Sequence, residues 1–496
     1  MRKRELLKGA AAAALMGIVP SAGWAQRHPE PKPQGERTNL LFITADDLDS
    51  SIPGFMGGMQ KLTPNLDALA ARAHRFVNNR TVAPICMPSR QAFMTGLLPH
   101  HSGGTGFIPV KSDTPTLTTI LQDQGYFAAA IHKVDHMQPW SCFPWDYLQN
   151  GKDRHTLVHA HGLTVAVEEA KAQNKPFFVQ CNINDPHRPF YGSRAAAKAD
   201  HGNKGPYVIP HEVGPDDVTV PAMLEDLPDV RRELAQYWNS AQRMDLAIGA
   251  ILRALEESGE AHNTAIVFCA DHGMPFPFAK ATCYDHGTRV PVLIAWPGMA
   301  APRQFGELTT NLDILPTLLD LLGIAPPSAL DGQSWMPLML GQAFTAPRYQ
   351  VTYVNEVSSG MAYPSRAIQD DRYALVFQAW ADGILQMKLE SMFGLTWPAM
   401  VAAANGDPKI AARVKQYVEG IPLAFYDLHD DPGQRRNLIG EKRHVARIAA
   451  MRTALLAEMR RTSDPQFANL QAAIAGKPMN VPQDPARFRI SGGGGE

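Results

Sequence analysis

At 496 residues the chain is long enough to bury one large core and a smaller one beside it. Apolar residues make up 45% and charged residues 19%, the balance of a folded globular protein rather than a disordered one. A net charge of −1 excludes nucleic-acid binding driven by overall charge, so an anionic ligand has to be held by local cations.

The chain opens with Met1-Arg2-Lys3-Arg4, an apolar run from Ala10 to Pro20, and Ser21-Ala22-Gly23-Trp24-Ala25. A charged start, a short apolar run and small residues at a cleavage point predict a signal peptide over 1–25. The Lys3-Arg4-Glu5-Leu6-Leu7-Lys8 string is one residue from a twin-arginine signal, so Sec and Tat export both stay open. The expected location is a bacterial periplasm or the outside of the cell. The apolar run is too short to span a bilayer, and no later segment predicts a transmembrane helix. Residues 26–38 are Pro-rich and polar, a linker.

Asn39 to Thr44 is an apolar run that ends in Asp46-Asp47, the pattern of a buried parallel strand with carboxylates at its C-terminal end. Thr63-Pro64 opens a helix predicted to reach about Phe76. Helices are predicted over 115–124, 162–173, 229–258 and 311–322, and strands over 126–131, 176–183 and 264–270. Alternation of this kind predicts an α/β sandwich with a mostly parallel central sheet. Ligands of such sheets gather beyond the C-terminal strand ends. Asp46-Asp47, Asn184-Asp185-Pro186-His187 and Asp271-His272-Gly273 all fall there. A catalytic domain is expected over 39–345. The pattern then shifts to short strands at 351–355, 366–369, 373–378 and 423–427, a smaller α+β subdomain over 346–485. Residues 486–496 read as a disordered tail.

Five cysteines is an odd number for an exported chain. Cys181 and Cys269 lie in apolar strands and read as inert core thiols, while a Cys142–Cys283 disulfide stays open. Two adjacent carboxylates at a strand end repel unless a cation or a shared proton relieves them. If Asp46-Asp47 and Asp271-His272 converge, they build a metal site. Carboxylate oxygens favour a hard cation, calcium or magnesium, and His272 is an unusual ligand for calcium.

Cys86-Met87-Pro88-Ser89-Arg90 fits C-x-P-S-R and is followed by Met94-Thr95-Gly96. This resembles the signature of type I sulfatases. So does the chain order of Asp46-Asp47, Cys86 to Arg90, Lys133-x-x-His136, Asp185-Pro186-His187-Arg188, Asp271-His272-Gly273 and Lys280. The resemblance implies an alkaline-phosphatase-like fold and a maturase that oxidises Cys86 to formylglycine, whose hydrated aldehyde is the nucleophile. It implies one metal ion, calcium ahead of magnesium, on Asp46, Asp47, Cys86, Asp271 and His272. Arg90 and Lys133 would hold the nucleophile and the sulfuryl oxygens, Lys280 and His187 would serve the leaving group, and His136 would aid sulfate release. The family's usual spacing is K-x-H; the extra residue before His136 leaves His132 as a rival.

Within the family, Asn184 to Arg188, Asp271 to Pro277, and Asn355-Glu356-Val357 with Tyr363 to Arg366 resemble the heparan N-sulfatase (sulfamidase) group. That group usually has Asn at position 272, Arg at 280 and His at 355. The resemblance implies a sulfated glycan substrate of the heparan or heparin type, with N-sulfoglucosamine favoured. It also implies a sugar pocket shaped by Arg188, Glu356 and Arg366. Other readings are an O-sulfatase on another sugar or an aryl sulfate, a phosphonate or phosphate ester hydrolase, and a non-catalytic glycan-binding protein with an unmodified Cys86. Arg188, Arg194, Lys198, His201 and Lys204 form a basic stretch that reads as solvated surface.

Overall fold

The computed structural model describes residues 37–151, 153–199, 209–484 and 486. The signal-peptide expectation, the linker apart from residues 37–38, and the tail apart from residue 486 lie outside the described residues. Eight strands form the central sheet: β1 (Asn39–Ala45), β2 (His74–Phe76), β3 (Phe127–Ile131), β4 (Tyr147–Gln149), β5 (Phe177–Ile183), β6 (Thr264–Ala270), β7 (Val292–Ala295) and β8 (Gln304–Phe305). Their order is β4-β3-β5-β1-β6-β7-β2-β8. The first five in that order run parallel; β7 is antiparallel to both β6 and β2. No helix among the described residues is long and apolar enough to cross a membrane.

Side-chain alternation in β1 explains the two-sided burial. Leu41, Ile43 and Ala45 enter one hydrophobic core, while Leu40 and Phe42 enter the other on the opposite face. Cys142 packs in the second core and Cys283 in the first, and all five cysteines are free, so that disulfide is absent.

The helix expected to run on to Phe76 stops early. Helix α1 covers Pro64–Ala70, and the chain re-enters the sheet as β2. Tertiary pairing overrides the local pattern: His74, Arg75 and Phe76 pair with Ile294, Leu293 and Val292, and Phe76 stacks on Phe305 and Trp335. Further helices include α2 (Cys86–Thr95), α3 (Leu117–Asp123), α4 (Val158–Ala172), α5 (Pro228–Glu257) and α6 (Ile314–Leu321).

Beyond them lies a four-stranded antiparallel sheet, β9 (Gln350–Glu356), β10 (Ala362–Gln369), β11 (Tyr373–Gln378) and β12 (Leu423–Asp427), in that order. Helix α7 (Val445–Arg461) covers it through Ile448, Met451, Leu455 and Met459, which join Phe377 and Phe425 in a separate core.

Register places the site. Ala45 lies beside Ile183 of β5 and Ala270 of β6. The next residues of all three strands, Asp46-Asp47, Asn184-Asp185 and Asp271-His272, therefore leave the sheet side by side.

Candidate active site

Helix α2 explains the spacing of the C-x-P-S-R segment. Cys86 is its first residue, so Pro88 sits in the first turn, where a missing N–H costs nothing. One turn later Arg90 shares the face of Cys86. Between them the Ser89 hydroxyl donates to the Asp271 carbonyl at 2.6 Å and ties the helix to the end of β6. The Arg90 guanidinium donates through Nε to Asp271 Oδ2 (3.1 Å) and through one terminal nitrogen to Thr44 Oγ1 (2.9 Å) and Asn182 Oδ1 (2.8 Å). Its other terminal nitrogen lies 3.1 Å from Asp271 and 3.9 Å from Asp46.

The carboxylates of Asp46 and Asp47, the Cys86 sulfur and a His272 nitrogen each offer an atom within 4.8 Å of the others. Four of the five expected ligand residues are thus together. Asp271 stands behind them, because its Oδ1 accepts from the backbone N–H of Asp47 (3.1 Å) and His272 (2.9 Å) while Oδ2 is taken by Arg90. It clamps the ligand-bearing backbone.

The donor set fits a hard cation. Asp46 Oδ1 and Oδ2 and Asp47 Oδ1 are buried with no aligned hydrogen bond. His272 Nδ1 meets the Gly273 carbonyl at 3.0 Å, which assigns the ring proton to Nδ1. The Nε2 lone pair then points at Cys86 Sγ (3.2 Å) and Asp47 Oδ1 (3.3 Å). A lone pair against a carboxylate oxygen is repulsive unless a cation sits between them.

Three cations surround this centre. Lys133, in the left-handed region at φ 51°, ion-pairs with Asp46. Lys280 lies 3.0 Å from Asp47 Oδ1 and 3.1 Å from Glu390 Oε2. Against the effect of burial, Asp47 keeps Lys280 protonated, and Lys133 and Arg90 hold Asp46 well below the usual carboxylate range. Asp47 itself is pushed up by burial despite Lys280. Burial and Asp46 push the Cys86 thiol well above its ordinary value, so an unmodified thiol would be a poor nucleophile at neutral pH.

His187 shows opposed effects. Burial, Lys280 and Lys133 press its pKa down to about 3. Yet Nδ1 meets the Arg188 carbonyl at 2.5 Å, while Nε2 faces Glu390 Oε1 at 3.4 Å and Asp47 Oδ2 at 4.0 Å. A neutral ring would turn a lone pair toward two carboxylates, which is repulsive unless a proton or a cation lies between them. Glu390, held at about 2 by Lys280 and His187 against burial, is ionised and faces it.

Of the two candidate histidines near Lys133, His136 carries the electrostatic coupling to the site. Burial, Lys133 and Arg90 lower its pKa well below the ordinary value, and its ring stands edge-on to Phe107 at 5.5 Å. His132 is taken by Asn184 (3.0 Å) and packs against His159.

Two expected sugar contacts do not fit. Arg366 is fully buried, bound to both oxygens of Asp464 (2.6 and 2.8 Å), the Val354 carbonyl and Asn355. Arg188 is buried over the Phe190 ring, ion-paired with Glu233 and within 3.3 Å of the Pro275 carbonyl. Each neutralises a buried carboxylate, so its charge is already taken within the protein. Glu356, half-buried at the end of β9, packs on Gly106, one residue before Phe107. Sequence reasoning missed Glu390, and it missed Arg154 and Arg243, which hold Asp185. Arg154 also donates to the His187 carbonyl (2.7 Å) and so fixes the histidine loop. An open cleft of about 730 Å³ lined by Arg348, Arg372, Tyr373 and Arg447 includes none of these site residues.

Fold and site together define an α/β protein of the alkaline-phosphatase-like class. The sulfatase family model matches residues 38–324, and the chain belongs to the sulfatase family. A second model, described as N-sulphoglucosamine sulphohydrolase, C-terminal, matches residues 271–385. The chain is similar to N-sulphoglucosamine sulphohydrolase of Homo sapiens, at 27% identity over 86% of this chain and 91% of that protein. It is also similar to a Delta 4,5-hexuronate-2-O-sulfatase of Bacteroides thetaiotaomicron, at 25% identity over 85% and 88%. Among solved structures, a 2-O GAG sulfatase superposes with a TM-score of 0.64 at 22% identity, covering 91% of this chain and 96% of that one. A phosphonate monoester hydrolase from Silicibacter pomeroyi gives 0.61 at 19%, covering 87% and 97%.

Proposed function

We propose that this sulfatase hydrolyses sulfamate or sulfate ester groups of sulfated glycans, with N-sulfoglucosamine of the heparan type as the favoured unit. The observation that carries the reading is the cluster of Cys86, Asp46, Asp47 and His272 within 4.8 Å, ringed by Arg90, Lys133 and Lys280. Support for the N-sulfated sugar comes from the match of residues 271–385 and from the similarity to the human sulphohydrolase.

A bound calcium ion would supply Lewis acidity, and Cys86, once oxidised by a maturase, would supply the attacking oxygen as its hydrated aldehyde. Asp46, Asp47 and His272 would hold the ion, and Asp271 fixes the backbone of Asp47 and His272. Arg90 and Lys133 orient the nucleophile and neutralise the sulfuryl oxygens. Lys280 and His187 serve the leaving group, with His187 delivering a proton from Nε2. His136 stands on the Lys133 side and assists sulfate release. Glu356 borders the sugar pocket. The charged and apolar start of the chain supports export, to the periplasm or outside the cell.

The test is product analysis on N-sulfoglucosamine, 6-O-sulfoglucosamine, an aryl sulfate and a phosphonate monoester. Turnover of N-sulfoglucosamine above the others is expected. A preference for the phosphonate ester would replace this reading with a phosphonate hydrolase, and turnover of none of the four would favour a glycan-binding protein.

A further inference from the structure

We propose that Glu390 determines the leaving group of this site, selecting substrates whose leaving group departs as an ammonium ion. The proposal rests on the sulfatase reading above. Glu390 opens a short turn, Glu390–Met392, in a segment far from the catalytic motifs in sequence. Three attachments fix that segment against the first part of the chain and against its own neighbours. The Thr396 N–H donates to Glu233 Oε2 at 2.7 Å, and the Ser391 and Tyr417 hydroxyls meet at 2.6 Å. Gly394 adopts φ +112°, where a Cβ would fall 2.0 Å from Glu233 Oε1. Glu233 belongs to α5 and is paired with Arg188. The carboxylate of Glu390 is thus presented by a rigid support.

It lies on the solvent side of the cluster. The Glu390 side chain is 26% exposed, whereas Asp46, Asp47 and His272 are 0% exposed. Each Glu390 oxygen faces one of the two groups assigned to the leaving group: Oε2 lies 3.1 Å from Lys280 Nζ and Oε1 lies 3.4 Å from His187 Nε2.

Charge balance separates the two reaction types. When a sulfamate is hydrolysed, the S–N bond breaks with its electron pair on nitrogen. The water oxygen ends on sulfur and both water protons end on nitrogen, giving sulfate and an ammonium ion. When a sulfate ester is hydrolysed, the S–O bond breaks with its pair on oxygen. One water proton goes to that oxygen, giving a neutral alcohol, and the other leaves with the hydrogensulfate. Only the sulfamate creates a positive charge on the leaving atom. A fixed carboxylate at that point stabilises the cation as it forms and opposes negative charge building on a departing oxygen.

The experiment uses full-length, matured, metal-loaded enzyme and reads competitive binding of glucosamine, a cation, against N-acetylglucosamine, its neutral counterpart. In wild type, glucosamine should bind about tenfold tighter. Glu390→Gln should abolish the preference and Glu390→Asp should keep part of it. In parallel, Glu390→Gln should lower kcat/KM on N-sulfoglucosamine by about 100-fold, with a loss on the 6-O-sulfated sugar about tenfold smaller. Equal binding of the two sugars by wild type overturns the proposal without any variant. So do a preference that survives in Glu390→Gln, equal kinetic losses on both substrates, or a lower KM for both, which would make Glu390 a mere competitor for the sulfate-binding cations. A wild type that prefers glucosamine through Glu390 yet does not cleave N-sulfoglucosamine would sink the favoured substrate and leave the role of Glu390 standing.

Discussion

Arg90 is the keystone of the buried charge at this site, and Arg90→Met tests that role with little change in volume. The substitution removes the partner of Asp271 Oδ2 and the donor to Thr44 and Asn182, and it takes a positive charge from beside Asp46. All these groups are buried, so the stranded carboxylate finds no water. Breaking one side of such a pair costs about 3–5 kcal/mol. At about 2 °C per kcal/mol for a domain of this size, the melting temperature should fall by about 6–10 °C. The assay is thermal unfolding at pH 7 in EDTA, with Asp271→Asn and the double variant completing a cycle. Because Asp271 and Arg90 touch, the double variant should be more stable than the sum of the two losses by at least about 1.5 kcal/mol. A melting temperature unchanged in Arg90→Met, or simple additivity in the cycle, would refute the buried-pair argument.

Three further outcomes follow from the same geometry. Chelation should lower melting temperature and activity together, since a cation at about 100 times its Kd adds about 2.7 kcal/mol; readdition of calcium should restore both, and indifference to EDTA would count against the cation. Arg366→Met should destabilise the fold and reduce turnover of an aryl sulfate and a glycan by the same factor, because Arg366 holds Asp464 rather than substrate; a change confined to the glycan would reinstate it as a sugar contact. Against burial, Arg366 lowers the Asp464 pKa below 3.8. A depressed carboxyl adds stability above its unfolded pKa and loses it as pH falls through the folded value. The melting gap between wild type and Asp464→Asn should therefore be full at pH 6 and shrink below pH 3.8; a constant gap would contradict the assignment.

The strand ends were legible because a buried parallel strand must be apolar along its length, so an acidic pair at its end stands out. Asp46-Asp47 and Asp271-His272 were found this way, and aligned register does bring them together. The overrun at Phe76 came from helical continuity in a short segment whose fate is set by pairing with Val292. Arg188 and Arg366 depart from expectation for another reason. An arginine in a motif looks available to a ligand, and sequence does not reveal a carboxylate such as Glu233 or Asp464 that takes it from the other side. Glu390 carried no signal at all. Only the tertiary path through Glu233 and Tyr417 delivers it to Lys280.

Peptide mass spectrometry at position 86, on protein purified from its own host and active on a sulfated substrate, bears most directly on how this site works. An aldehyde in place of the Cys86 thiol, present in proportion to activity, is the expected result. Full activity in a preparation that carries only the unmodified thiol would contradict it.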